Sequence, residues 1–175
     1  MLVGIISDTH DNLRHLDKAV SIFNQRKIGM LLHCGDWNMP FTLAMYSFLN
    51  CPVKGVLGNG DADIQQFLWQ KEVKFKDVDA EISSRFLDIT LGGKRFAVFH
   101  GNMDNLNNLI LESGLYDVFC CGHTHKPKIE RVNKTLIINP GSLVGVYLPE
   151  SRQDRVTVAL YDTEKDEAEI IDLEI

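Results

Sequence analysis

The sequence predicts an α/β fold: a four-layer αββα sandwich, in which two mixed β-sheets pack face to face with helices outside. A βαβαβ rhythm opens the chain, which implies parallel strands covered by helices. Past residue 85 hairpin signals replace it, so a second sheet is needed. Short ligand-type clusters also follow the apolar runs, where open α/β sheets collect their ligands. They are Asp8-Thr9-His10, Gly35-Asp36, Gly58-Asn59, His100-Gly101 and Gly122-His123-Thr124-His125.

Each element follows from its residues. Leu2–Ser7 is a short apolar run and reads as a buried parallel strand. Asp11–Arg26 places Leu13, Leu16, Ala19, Val20 and Phe23 at helical spacing. Met30–Cys34 and Val53–Leu57 are the next strands. Between them Met39-Pro40 opens a helix to Leu49, with Pro40 in its first turn. Ala62–Trp69 reads as a short helix, and Glu72–Ser84 has no firm period and reads as irregular. Phe86–Leu91 and Arg95–Phe99 form a hairpin across Gly92-Gly93. Asn105–Ser113 is a helix stopped by Gly114, and Asp117–Cys121 a buried strand. Strands at Lys128–Val132, Thr135–Ile138, Arg155–Tyr161 and Glu167–Leu173 close the chain, and the acidic stretch from Asp162 to Glu174 reads as a solvated hairpin face.

Composition narrows the function. The 175 residues are 45% hydrophobic and 24% charged, and residues 1–175 read as one soluble domain. A net charge of −6 argues against gripping a long nucleic-acid backbone, which needs clustered Lys and Arg. It leaves a small phosphate ester open, because bound cations reverse local charge. Cys34, Cys51, Cys120 and Cys121 form no C-x-x-C pair. They read as reduced thiols of a cytoplasmic protein. The N-terminal MLVGIIS has no basic n-region, so no signal peptide is expected, and no apolar run is long enough to span a membrane. Phe67 and Trp69 read as exposed apolar residues suited to a homo-oligomer interface.

Mixed carboxylate, amide and imidazole groups suit first-row divalent metals. Asp8 and His10 lie two residues apart past one strand end, so both can turn to one ion. His123 and His125 share that spacing and can serve one ion or two. The carboxylate of Asp36 has two oxygens and can bridge. Taken singly, each motif has a plainer reading. Asp8 or Asp11 could cap the first helix, Asp36 the second, and Asn59-Gly60 could be an ordinary turn. His33 reads equally as a buried histidine bonded to backbone or as a partner of a ligand. His15 reads as a surface residue. Arg14 is a weak candidate for a substrate phosphate. Thr124 and Asn139-Pro140-Gly141-Ser142 read as pocket-shaping residues or, for the latter four, simply a tight turn.

All the clusters in order, with the strings SDTH, HCGD, CGHTH and NPGS, make the chain resemble the calcineurin-like metallophosphoesterase superfamily and its small bacterial and archaeal phosphodiesterases. The resemblance runs from Ser7 to Ser142. It implies Asp8, His10, Asp36 and His125 on one metal and Asp36, Asn59, His100 and His123 on a second, about 3.5–4 Å away. It further implies phosphodiester hydrolysis by in-line attack of a hydroxide bridging two divalent ions, with Asp36, Asn59, Asp61 and His100 catalytic. Manganese is the implied metal; iron, nickel, cobalt and zinc also suit the ligands. The alternative is a non-catalytic interaction scaffold like the retromer subunit of this fold, whose metal motifs are eroded. One position departs from the pattern: many relatives read G-N-H-[DE], whereas this chain has Gly58-Asn59-Gly60-Asp61. The leaving-group proton then falls to Asp61, a metal-bound water or the substrate, and Gly60→His is expected to raise rates mainly on poor leaving groups.

Overall fold

The structure, a computed structural model, describes residues 1–61, 63–144 and 155–173. Ala62 and Glu174, which began one expected helix and ended the acidic stretch, lie outside the described residues. Strands β1 (Leu2–Ile6), β2 (Met30–His33), β3 (Val53–Val56) and β4 (Ala80–Ser83) run parallel, and β10 (Thr157–Asp162) and β11 (Glu167–Asp172) extend the sheet antiparallel beside β1. The second sheet is β5 (Phe86–Leu91), β6 (Lys94–Phe99), β7 (Val118–Cys120), β9 (Thr135–Asn139) and β8 (Lys128–Val132), in that order. Within it β6, β7 and β9 are parallel, and hairpins close both edges.

Alternation along the strands builds three cores. Val3 and Ile5 of β1, Leu32 of β2 and Val56 of β3 meet Phe96, Val98, Val118 and Ile138 between the sheets. Ile6 and Leu31 face the other way. They pack on α1 (Leu13–Arg26), which presents Leu16, Ala19, Val20 and Phe23, and on α2 (Ile64–Lys74) through Phe67. Each such fully buried side chain contributes roughly 1.5–3 kcal/mol. On the far side α3 (Asp104–Glu112) sets Ile110 against Ala97, Phe99 and Phe119. The four layers are those the sequence predicts.

Three local expectations are corrected. Pro40–Phe48 is a 3₁₀ segment, not an α-helix. Its buried Pro40, Leu43 and Tyr46 recur every three residues, the 3₁₀ period. Thr42 and Ser47 also donate their hydroxyls to the carbonyls of Met39 and Ala44, in competition with the helix ladder. The stretch read as irregular holds the last turn of α2 and the edge strand β4. Phe67 is buried in the first core rather than exposed, while Trp69 does stand in solvent.

Candidate metal centre

The parallel strands deliver their carboxyl ends to one rim. Gly122 N–H donates to His100 O at 2.9 Å, continuing the second sheet past its strand ends, and His123 N–H ties that sheet to the first through Asp8 Oδ2 at 3.0 Å. The fit is close. A Cβ on Gly122 would lie 1.9 Å from Ser7 Oγ and 2.5 Å from Asp8 Oδ2, so only glycine lets β7 approach β1 this nearly.

Asp8, His10, Asp36, His100 and His125 converge inside this rim. Asp8 Oδ1 lies 3.1 Å from His125 Nε2 and 3.8 Å from His10 Nε2. The two imidazoles face each other through Nε2 atoms 3.3 Å apart. Asp36 splits its carboxylate: Oδ1 lies 3.2 Å from His100 Nε2, and Oδ2 3.7 Å from His10 Nε2. Two groups of potential ligands result, Asp8-His10-His125 and Asp8-Asp36-His100. Asp8 is thus shared between them, where the sequence singled out Asp36 for sharing. His123 turns its ring edge-on to His100, with centroids 5.3 Å apart. Asn59 is exposed between the half-buried Gly58 and Gly60, where an added Cβ on either glycine would run into Asp36.

The donor set fits a cation. Asp8 Oδ1 and His100 Nε2 are buried and have no hydrogen-bond partner among the described residues. His100 Nδ1 donates to Cys34 O at 2.9 Å, so a neutral ring points the Nε2 lone pair at a carboxylate. Without a cation, a proton must lie between them. Burial lowers the His100 pKa, but Asp36 and Asp8 outweigh it and hold it above the ordinary value. Burial likewise raises Asp36, and His100 and the Gly60 N–H bring it below the usual carboxylate range.

The backbone is bent to make these contacts. Asp8, His10, Asp36, His123 and His125 all have left-handed φ, between 42° and 67°. Asp11 and Asn38 beside them do too. For residues with a Cβ such conformations cost on the order of 1 kcal/mol or more, and they cluster where function requires them.

Asp61 does not point into the centre. Its Oδ2 accepts from Gly58 N–H at 2.7 Å and Asp36 N–H at 3.1 Å, and its Oδ1 from Asn38 N–H at 2.7 Å. Burial pushes it up to about 6 against these donors. The carboxylate staples the Asp36 and Asn59 loops together, which argues against its being the leaving-group acid. Gly60→His is also revised. A Cβ there would stand 2.9 Å from Asp36 Oδ2 and from Asn38 Oδ1, so a histidine would displace the ligands it was meant to assist.

The other candidates resolve into supports. His33 is fully buried and stacks on Trp37 with centroids 3.5 Å apart. It accepts from Gly35 N–H through Nδ1 at 3.1 Å, which fixes the turn into Asp36. Burial and then His100 hold its pKa well below the ordinary value, so it is neutral. His15 is buried rather than on the surface, with Nδ1 2.8 Å from Leu143 O. Neither Asp8 nor Asp11 caps α1; Asn12 does. Asn139 Nδ2 donates to Gly122 O at 2.8 Å, and Ser142 Oγ to Asp8 O at 3.0 Å. The Asn139–Ser142 turn therefore braces the rim. Asn38 was missed from sequence because asparagine is an ordinary turn residue.

A sheet sandwich with carboxylates and imidazoles gathered at its strand ends is the arrangement of metal-dependent phosphoester hydrolases. The chain belongs to the calcineurin-like phosphoesterase superfamily, whose domain profile matches residues 1–166. A phosphodiesterase of Methanocaldococcus jannaschii is 34% identical, covering 99% of this chain and 100% of its own. The solved structure of an archaeal phosphodiesterase superposes with a TM-score of 0.86 at 34% identity, over 99% of this chain and 100% of that one. Vacuolar protein sorting 29 from Cryptosporidium parvum shares the fold, with a TM-score of 0.65 at 17% identity over 99% of this chain and 97% of its own. Among the described residues, no helix is long and apolar enough to cross a membrane.

Proposed function

We propose that the chain is a phosphodiesterase for small esters, working as a single domain with two divalent metal ions. Asp8, His10, Asp36 and His125 hold one ion, and Asp36, Asn59, His100 and His123 the other. The observation that carries this is the pair of buried, unpartnered ligand atoms, Asp8 Oδ1 and His100 Nε2, aimed into a rim of imidazoles and carboxylates. When bound, such ions neutralise phosphoryl charge and activate water at neutral pH.

The chain's own residues prepare that chemistry. Asp36 turns one oxygen toward His100 and the other toward His10, a placement that would suit a carboxylate shared by two ions. The Cys34 carbonyl fixes the His100 tautomer, leaving Nε2 as its free donor. Asp61 holds the Gly58 and Asp36 backbones together, which keeps the Asn59 loop beside the Asp36 loop. No side-chain acid stands at position 60, so the protein donates no proton there, and esters with good leaving groups are favoured. A relative named a phosphodiesterase supports diester substrates. The net charge of −6 supports small ones over long polyanions. The four free thiols suit the reducing cytoplasm. The mixed N and O ligands suit manganese, with iron, cobalt, nickel or zinc as substitutes.

Bis-p-nitrophenyl phosphate turnover after chelation and re-addition of Mn²⁺ tests this reading. Hydrolysis should depend on metal, and Asp36→Asn should lower kcat by about 100-fold or more. No hydrolysis with Mn²⁺, Fe²⁺, Co²⁺, Ni²⁺ or Zn²⁺ would overturn it and leave the scaffold alternative.

A further inference from the structure

We propose that Asn38 is a positioning residue for this centre: its amide oxygen takes the Nδ1 proton of His10 and so keeps Nε2 bare toward Asp8 and Asp36. This rests on the metal-centre reading above and adds a residue to it. Asn38 Oδ1 lies 3.1 Å from His10 Nδ1. An oxygen can only accept there, so the proton of the neutral imidazole sits on Nδ1. Nε2 is the nitrogen that approaches the carboxylates, and a ligating nitrogen must be unprotonated. A histidine ligand whose other nitrogen is tied in this way is fixed in tautomer and ring orientation.

Three further features are arranged around Asn38. Its backbone N–H is held by Asp61 Oδ1 at 2.7 Å, and the same carboxylate holds Asp36 N–H. The amide is therefore placed by the group that places Asp36. Its φ of 73° is a left-handed conformation that asparagine and glycine tolerate and branched residues do not. Gly60 leaves the space in which the amide sits, since a Cβ there would stand 2.9 Å from Asn38 Oδ1.

Two variants separate the acceptor from the backbone. Asn38→Gly removes the acceptor and keeps the left-handed turn free of strain. Asn38→Asp keeps an oxygen in place and tolerates the same φ. Mn²⁺ binding by calorimetry should weaken about 10–100-fold in Asn38→Gly and stay within a few-fold of wild type in Asn38→Asp. In the metal-free protein, ¹⁵N spectra should show His10 protonated at Nδ1 in wild type and Asn38→Asp, and a tautomer mixture in Asn38→Gly. Wild-type affinity and tautomer in Asn38→Gly would overturn the proposal, as would equal losses in both variants. If wild type itself takes up no divalent ion, the metal-centre reading fails; wild-type uptake with an unaffected Asn38→Gly refutes the role of Asn38 alone.

Discussion

A methyl group on Gly60 would stand 2.9 Å from both Asp36 Oδ2 and Asn38 Oδ1, and Asp36 is not free to retreat. Its other oxygen accepts from Gly60 N–H at 2.7 Å. Gly60→Ala must therefore shift the carboxylate that faces both sides of the rim. A misplacement of about 1 Å costs on the order of 100-fold. We expect kcat on an aryl diester to fall by that order while the melting temperature changes little; unchanged kcat would show that Asp36 yields without loss. The thiols offer a second test. Cys34 and Cys120 are raised well above the usual thiol range by burial, Cys121 is pushed up to about 12 and Cys51 up to about 11, in each case chiefly by burial. At pH 8 about one Cys51 in a thousand is a thiolate, so native labelling by a disulfide reagent should be slow and accelerate with pH. Folded thiols hold their protons more tightly than unfolded ones, so this contribution to stability falls as pH rises past about 8.5. Fast labelling of the native protein at pH 7 would refute this. Residue identities were partly legible in the sequence. Asp8, His10, Asp36, His100 and His125 stood out as ligand types after strands. Asn38 did not, because its role depends on a histidine 28 positions away. Asp61 stood out as a candidate acid, and only its three backbone donors reveal that it is a staple.

At the scale of elements, strands with one chemical character were legible and those with mixed character were not. β1 to β3 are buried on both faces and read as apolar runs. The edge strand β4, Ala-Glu-Ile-Ser, alternates over only four residues inside a charged stretch and showed only through its pairing with β3. The left-handed turns that follow β1, β2 and β7 were likewise invisible. Only the turn after β2 carries a glycine in a left-handed conformation, Gly35; the rest use Asp, Asn and His held by contacts at the rim. Helix α1 shows how an element and the rim are joined. Asn12 accepts from His15 N–H at 3.1 Å and donates through Nδ2 to Leu143 O at 3.0 Å. Leu143 follows Ser142, whose hydroxyl holds the Asp8 carbonyl. Asn12→Ala loses the cap and that tie together. We expect it to lower unfolding free energy by about 1–2 kcal/mol, read from the guanidinium midpoint. An unchanged midpoint would mean that neither bond contributes to stability.

Across the whole molecule, two facing sheets and their strained turns hold like-charged groups together. Asp8 and Asp36 are buried, with imidazoles between them and a ligand atom left unpartnered on each side. In the empty protein the His100–Asp36 pair is favourable, but the arrangement is incompletely satisfied. It leaves Asp8 Oδ1 buried without a hydrogen-bond partner among the described residues, at about 1–3 kcal/mol, and adds the cost of the left-handed turns. A cation that binds only the folded chain offsets both. Linkage sets the size of its effect: at 100 times its Kd it stabilises by about 2.7 kcal/mol. For a domain of this length each kcal/mol moves the melting temperature by roughly 2–4 °C. Mn²⁺ should therefore raise the melting temperature by about 5–10 °C over the chelated protein, in a concentration-dependent way. Asp36→Asn should melt somewhat below the chelated wild type, because the lowered Asp36 pKa means that the folded chain favours its charge, and should respond weakly to metal. A metal-induced rise present in wild type and lost in Asp36→Asn separates a metal centre from a general salt effect, which would shift both proteins alike. Coincident melting curves for wild type with chelator and with Mn²⁺ would show that the unpartnered atoms are not metal ligands.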